Sequence, residues 1–220
     1  MTPEGCSIPV YPAAPVRRRR LPDGRPVVVR PLEAEDTRRY TEFVRGLSAE
    51  TLYNRLLGSG VGITPDRLQR LLVVDQHSHV ALHAVIRLDD GAEQIVGVAR
   101  FAGTGDDCVA ELAVTVADEW QGKGVGTLLL RALLLEARRA GVHTLVGDVF
   151  RANAPMHALL RNAGFGLAVA PGDAQLTRAT KALAPVRPRA RSARTAPRAN
   201  ADADPGAARS ERNGIIIDSA

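Results

Sequence analysis

The segment 108–126 constrains the fold most, because it places a strand, a glycine-rich loop and a helix in immediate succession. In Cys108–Val116 apolar residues occupy every second position, which is the period of a strand with one buried face. From Val125 to Leu133 apolar residues recur at helical spacing. Glycines at the junction let backbone N–H groups approach a ligand at the positive end of a helix. The segment therefore predicts a phosphate-binding loop; its glycines are Gly122, Gly124 and Gly126.

The spacing of these glycines excludes two common phosphate loops. The dinucleotide fingerprint G-x-G-x-x-G needs its third glycine one residue later, and the ATP-type loop G-x-x-x-x-G-K-[ST] is absent. Gln121–Gly126 (QGKGVG) instead resembles the Q-x-x-G-x-G motif of the GNAT N-acetyltransferases, which bind acetyl-CoA. Downstream, Asn153–Phe165 (NAPMHALLRNAGF) resembles the N-x-x-[AM]-x-x-L…G-F segment of the same family. The two motifs follow one another in the expected order.

This resemblance implies one GNAT acyl-CoA N-acyltransferase domain over residues 21–183. Its fold would be α/β (α+β), with a central, mixed, splayed β-sheet of about seven strands flanked by helices. Apolar periodicity and turn residues predict the individual elements. Strands are expected at Pro26–Arg30, Val80–Leu88, Gln94–Thr104, Cys108–Val116, Thr144–Val149, Phe165–Val169 and Gln175–Thr180. Helices are expected at Glu35–Gly46, Ser48–Leu57, Pro65–Val73 and Asn153–Ala163 and directly after the glycine loop.

The two ends of the chain differ in composition from its centre. Residues 1–20 and 184–220 are rich in Arg, Pro and Ala, and we expect both to be disordered extensions. Each end carries a net charge of +3, whereas the centre carries −1, so the overall charge of +5 belongs to the ends. Because no aromatic residue is interleaved with the C-terminal arginines, a solvated tail is favoured and nucleic acid is an unlikely partner.

Composition also indicates the cellular compartment and the kinds of partner to expect. No apolar run approaches the ~20 residues that a membrane span needs, so no membrane partner is expected. Two cysteines are too few for a disulfide framework, which favours the cytoplasm. No metal is expected, because His77, His79 and His83 lack acidic or cysteine partners at ligand spacing. The oligomeric state is left open.

Five further segments narrow the resemblance within the family. They are similar to the acetyltransferase domain of bacterial protein lysine acetyltransferases of the Pat type. The segments are Arg30–Asp36 (RPLEAED), Leu47–Arg55 (LSAETLYNR), Ile95–Arg100 (IVGVAR), Ala110–Val114 (AELAV) and Asp118–Gly122 (DEWQG).

Acetyl transfer to a primary amine requires a neutral nucleophile. A lysine ammonium with a pKa of ~10.4 is deprotonated in about one molecule in a few thousand at pH 7, so a general base is needed. In the Pat-type subgroup a glutamate at this point of the motif is the base, and the match falls on Glu111. Because its strand should be largely covered by neighbours, we expect burial to raise the pKa of Glu111 toward neutrality. A solvated or ion-paired strand glutamate is the alternative.

The resemblance also implies the contacts of acetyl-CoA. Backbone groups of the central strand would pair with the pantetheine arm, and an N–H near Val114 could stabilise the oxyanion. The diphosphate would lie on the glycine loop, and Asn153 would hydrogen-bond the pantetheine or act as a helix N-cap. Trp120, just before the loop, is expected to be a packing anchor. The implied cofactor-binding residues are Val114, Thr115, Val116, Gln121, Gly122, Lys123, Gly124, Val125, Gly126, Thr127 and Asn153.

The chain departs from the family at one position. Many members place a tyrosine as general acid where this chain has Leu160, so that route is closed. A thiolate with a pKa near ~8.5 can leave without full protonation, and Tyr53, His157 and Cys108 remain as candidate donors. Three functions stay open: acetylation of protein lysine, acetylation of a small amine (polyamine, amino acid or antibiotic), and non-catalytic sensing of acyl-CoA. The Pat-type resemblance favours the first.

Overall fold

The computed structural model of the protein describes residues 14–58, 64, 68, 79–104 and 108–184. Eight strands in these residues form one sheet, one more than expected from the sequence. The strands are β1 Arg17–Arg20, β2 Pro26–Pro31, β3 His79–Arg87, β4 Glu93–Gly103, β5 Val109–Val116, β6 Thr144–Phe150, β7 Gly166–Ala170 and β8 Asp173–Ala182. The described helices are α1 Thr37–Arg45, α2 Ala49–Arg55, α3 Val125–Arg139 and α4 Ala154–Asn162, with short 3-10 turns at Ala34–Asp36 and Asp118–Trp120.

The strands lie in the order β1-β2-β3-β4-β5-β6-β8-β7. Within the described sheet, β5 and β6 are parallel and the other neighbouring strands are antiparallel. Parallel neighbours need a crossover connection, and α3 supplies it between β5 and β6. The prediction of a mixed sheet flanked by helices is thus confirmed.

The core lies on both faces of this sheet. On one face α3 buries its apolar side, including Val125, Leu129 and Leu133, against the strands. On the other face α1 contributes Tyr40 and Phe43 to a second apolar cluster. The strand–loop–helix segment is therefore fixed by the larger of the two clusters.

The prediction that residues 1–20 are disordered is wrong for Arg17–Arg20, which form β1. This strand pairs antiparallel with β2, and the side chain of Arg17 donates to the buried carboxylate of Glu136 on α3. The other three arginines are exposed. An edge strand accommodates such charges easily. The run of four arginines has no apolar alternation, so the sequence did not predict this strand. The prediction of disorder for residues 1–13 and 185–220 falls outside the described residues.

Most predicted elements agree with the structure to within a few residues. Ser48 caps α2 as expected, since its hydroxyl accepts the N–H of Thr51 at 3.1 Å. The predicted helix Pro65–Val73 falls outside the described residues except for Leu68. No helix in the described part of the chain is long and apolar enough to span a membrane.

Candidate active site

The candidate site lies where β5 and β6 separate. The two strands pair only from Val109 to Glu111, whereas β5 remains paired with β4 as far as Val116. The carbonyl of Cys108 accepts N–H groups from the β6 side, at 2.8 Å and 3.1 Å. Since backbone groups alternate in direction along a strand, Val114 also directs its N–H and C=O toward β6. Beyond Glu111 this edge of β5 opens into a cleft, which confirms the expected splay.

The cleft has a volume of about 510 Å³ and brings together nine of the eleven predicted cofactor-binding residues. The other two lie beside it. Val125, the first residue of α3, is buried in the core, and the Lys123 ammonium lies 5.2 Å from the centroid of the Trp120 ring. The nine lining residues are Val114, Thr115, Val116, Gln121, Gly122, Gly124, Gly126, Thr127 and Asn153.

The glycine loop has a backbone that side chains would obstruct. Gly122 and Gly124 have φ angles of 71° and 89°, in the left-handed region that glycine adopts without strain. A Cβ on Gly126 would lie 3.3 Å from Leu159 Cδ2. Gly124 is the N-cap of α3, so the N–H groups of the first turn have no partner within the helix and are available to an anion.

A hydrogen-bond network joins the loop to α2. The amide nitrogen of Gln121 donates to the carbonyl of Val116 at 3.2 Å and to the hydroxyl of Thr51 at 3.1 Å. That hydroxyl in turn donates to the Asp118 carboxylate at 2.7 Å, which also accepts the N–H of Ser48 at 2.9 Å. Burial favours neutral Asp118, but the hydrogen bonds from Ser48 and Thr51 outweigh it and lower the pKa of Asp118.

This network was not predicted from the sequence. Ser48 was named there as the start of a helix, and both Ser48 and Asp118 as parts of segments that are similar to Pat-type domains. The one available signal was an acidic residue just before the loop, and pairing across 70 positions leaves no local pattern.

Asn153 both lines the cleft and caps a helix. It lines the cleft, and its side-chain oxygen accepts the N–H of Met156 at 3.1 Å as the N-cap of α4. The cap uses the oxygen, so the amide nitrogen can still donate to a ligand. Trp120 is the expected packing anchor, because only 6% of its surface is exposed and it belongs to the main core cluster.

Glu111 does not have the expected environment. Its side chain is exposed and is not among the residues that line the cleft, although its backbone still pairs with Val146 of β6. The expectation of burial is therefore wrong. On the neighbouring strands the Arg178 guanidinium pairs with the Asp148 carboxylate, with one contact at 2.7 Å. The hydrogen bond to Asp148 raises the pKa of Arg178, and the negative charge of Glu111 acts in the same direction.

The candidate proton donors differ in their burial and in their bonding partners. Leu160 is 1% exposed and belongs to the core, so the position used for a tyrosine in many family members carries no donor. Cys108 is disulfide-bonded and has no thiol proton to give, so its candidacy as a donor is wrong. Burial lowers the pKa of His157, with the charge of Arg161 adding to the effect. Tyr53 is exposed and stacks on the Phe150 ring at 4.9 Å.

Comparisons with known proteins agree with this architecture. The family model described as the Acetyltransferase (GNAT) family matches residues 49–165. Acetyltransferase PA5475 of Pseudomonas aeruginosa is 36% identical over 145 residues, which are 66% of this chain and 77% of that protein. Among solved structures, the GNAT domain of S. lividans PAT matches with a TM-score of 0.69 and 25% identity, covering 79% of this chain and 100% of that domain.

Two further acetyltransferases are also similar to this chain. Acetyltransferase Pat of Mycolicibacterium smegmatis is 33% identical over 138 residues, 62% of this chain but only 40% of Pat, so the match spans less than half of that protein. An L-methionine sulfoximine/L-methionine sulfone acetyltransferase of Pseudomonas aeruginosa is 30% identical over 122 residues, 52% of this chain and 70% of that protein. The splayed sheet, the glycine loop and these matches lead to one conclusion. The chain belongs to the GNAT family and is an acetyl-CoA-dependent N-acetyltransferase.

Proposed function

We propose that this enzyme acetylates a protein lysine side chain by direct attack in a ternary complex, with Glu111 as the general base. The observation that carries the proposal is the separation of β5 from β6, which opens one strand edge to a cleft. The glycine loop lies along this cleft, and a carboxylate stands where the separation begins. The resemblance of five sequence segments to Pat-type domains supports lysine as the acceptor.

The residues of the cleft fit acetyl-CoA. The loop takes a conformation that requires glycine, and its N–H groups at residues 122–127 would hold the diphosphate. The open backbone of Val114 and Val116 would pair with the pantetheine arm, and the Asn153 amide would donate to it. The N–H of Val114 would stabilise the negative charge that develops on the acetyl oxygen. Bound there, acetyl-CoA supplies the acetyl group as an activated thioester.

Direct attack is favoured by the composition of the cleft. Among the described residues that line it, none is cysteine, serine or histidine, and its hydroxyls belong to three threonines. Thr51 donates to Asp118, whose lowered pKa makes it a weak base, and the hydroxyls of Thr115 and Thr127 donate to no base among the described residues. A covalent acetyl-enzyme therefore lacks a suitable nucleophile. Glu111 would take the proton of the amine, either directly or through one water. Among the described residues, Arg178 is already paired with Asp148, and no ion pair holds the Glu111 carboxylate.

The general-base proposal is tested with Glu111→Gln and a matched control, Glu42→Gln, on the exposed side of α1. We expect Glu111→Gln to lower kcat by about 10²–10⁴-fold, the usual contribution of a positioned base, while acetyl-CoA affinity stays within about twofold. Free coenzyme A released with a panel of lysine-containing proteins measures kcat, and fluorescence of Trp120 measures binding. Full turnover by Glu111→Gln would contradict the assignment; Glu42→Gln should behave as wild type.

A small amine is the second candidate acceptor, and one observation favours a particular kind. Arg55 and Arg100 line a recess next to the cleft, where both recess and cleft share Thr115. Burial lowers the pKa of Arg100 to about 10, and the charge of Arg55 contributes. The positive charge of Arg55 on the cleft wall suits an amine that carries a carboxylate, such as an amino acid. Faster thiol release with amino acids than with proteins would establish this candidate in place of lysine.

A further inference from the structure

We propose that Arg25 forms a subsite for the 3′-phosphate of coenzyme A, in combination with Lys123 and the ring of Trp120. The inference deepens the acetyl-CoA site and rests on it. It concerns a residue outside both sequence motifs, on the turn between β1 and β2.

The turn between β1 and β2 is held in place next to the glycine loop. Leu21 and Arg25 close it with a backbone hydrogen bond of 2.9 Å, and the buried Leu21 side chain anchors it in the core. The turn lies directly against the glycine loop, because a Cβ on Gly124 would be 3.1 Å from Pro22 Cδ. Pro22 and Gly124, which are 102 positions apart in sequence (124 − 22), are thus neighbours beside the cleft.

Two positively charged side chains lie over one aromatic ring beside the loop. The Arg25 guanidinium carbon and the Lys123 ammonium each lie 5.2 Å from the centroid of the Trp120 ring. The ring itself is buried, and its N–H donates to the Glu119 carboxylate at 3.1 Å. Trp120 also lines the cleft. Cation–π contacts of this kind hold two positive groups together beside the loop.

Coenzyme A carries a 3′-phosphate in addition to its diphosphate. The N–H groups of the loop suit one diphosphate, so the separate 3′-phosphate of coenzyme A needs donors beyond the loop. A guanidinium binds a phosphate with two parallel hydrogen bonds. Arg25 now pairs with Asp23 at 3.1 Å, but both side chains are well exposed, at 55% and 39%. Exposed pairs of this kind contribute little, so a phosphate dianion can replace the partner of Arg25.

The test compares acetyl-CoA with acetyl-dephospho-CoA, which lacks only the 3′-phosphate. Trp120 is the single tryptophan of the chain, so its fluorescence reports binding of both ligands to the intact protein. The variants are Arg25→Gln, Arg25→Lys and a control, Arg18→Gln, which removes an exposed arginine from the same hairpin. Thermal unfolding of each variant checks that it is folded.

We expect wild type to bind acetyl-CoA about tenfold or more tightly than acetyl-dephospho-CoA, as a charge-assisted contact implies. Arg25→Gln should weaken acetyl-CoA binding about tenfold and change acetyl-dephospho-CoA binding by less than twofold. Arg25→Lys should lose less, and Arg18→Gln nothing. Equal losses for both ligands, or no loss, would overturn the subsite. Failure of wild type to bind either ligand would instead contradict the acetyl-CoA site itself.

Discussion

Two titratable side chains of the same sheet, on strands that β4 separates, have opposite surroundings. Glu111, at the point where the sheet splays, is exposed, whereas His83 on β3 has no exposed surface and stacks on Tyr40 at 5.5 Å. Neither imidazole nitrogen of His83 has a hydrogen-bond partner among the described residues. Burial lowers the pKa of His83 to about 3, against the attraction of Asp36, while the charges of Arg30 and Arg100 lower it further. His83 is therefore a neutral core residue.

This environment predicts that acid destabilises the fold through His83. The unfolded chain binds a proton below about pH 6.5, but the folded protein does not until about pH 3, so the free energy of unfolding falls as the pH drops through this window. Between pH 7 and pH 5 the loss should be about 2 kcal/mol, from 1.4 kcal/mol per pKa unit. His83→Phe should abolish that part of the slope in urea unfolding.

Comparing His83→Phe with the wild type isolates the ionisation of His83, because Phe preserves the ring against Tyr40 and removes no hydrogen bond. Burial opposes ionisation of Asp36, but its hydrogen bond with Arg30 outweighs this and lowers the pKa, so Asp36 contributes below pH 5 only. His157 has a lowered pKa in both proteins and cancels. An unchanged slope in His83→Phe would show that His83 is not the source.

At the scale of elements, the glycine loop depends on a helix that does not belong to its motif. The N-terminus of α2 donates to Asp118, which lies in the turn just before the loop. A carboxylate at a helix N-terminus is favoured by both the free N–H groups and the helix dipole. Thr51 extends the connection to Gln121. The strand–loop–helix segment and α2 should therefore behave as one unit.

Replacing Asp118 should affect stability and cofactor binding together. Asp118→Ala should lower the free energy of unfolding by about 1 kcal/mol, as expected for the loss of a capping interaction. Acetyl-CoA affinity should fall several-fold, because Thr51 and Gln121 lose their support. Urea unfolding and Trp120 fluorescence measure the two effects. Asp89→Ala, in the exposed turn between β3 and β4, is the control; loss of stability alone would refute the connection to the loop.

For the whole molecule, the close packing of α3 on the sheet fixes where the loop stands. Gly97 on β4 lies beneath this helix, and a Cβ there would be 2.9 Å from Leu129 Cδ1 and 3.1 Å from Val125 Cγ1. The carbonyl of Thr115 would be 3.2 Å away and belongs to the backbone, so it cannot give way easily. Glycine at this position lets helix and sheet approach closely at the start of α3.

An added methyl group at Gly97 should therefore destabilise the fold. Gly97→Ala should lower the free energy of unfolding by about 1–3 kcal/mol, the usual cost of overpacking. The matched control is Gly166→Ala on β7, where a Cβ would make only an ordinary contact of 3.7 Å with Thr180. Urea unfolding measures both. Equal stability of the two variants would mean that α3 is not closely packed at Gly97.

Much of this architecture is predictable from local patterns. The alternation in β5, the glycine spacing and the helical period after Val125 are visible without a structure, since each depends on neighbours in sequence. The strand of Arg17–Arg20 was missed, because four arginines carry no apolar pattern and the strand is defined by its pairing with β2. Burial of Glu111 was predicted wrongly for a related reason, since exposure on a strand depends on what packs beside it.

The sequence by itself determined the position of the glycine loop between a strand and a helix, because strand alternation, glycine spacing and helix periodicity are properties of contiguous residues. Only the tertiary structure decided what surrounds the loop. The separation of β5 from β6, the link from Asp118 to α2 and the placement of Arg25 beside Trp120 all join distant segments. Such contacts arise when the shared core closes, and no local pattern records them.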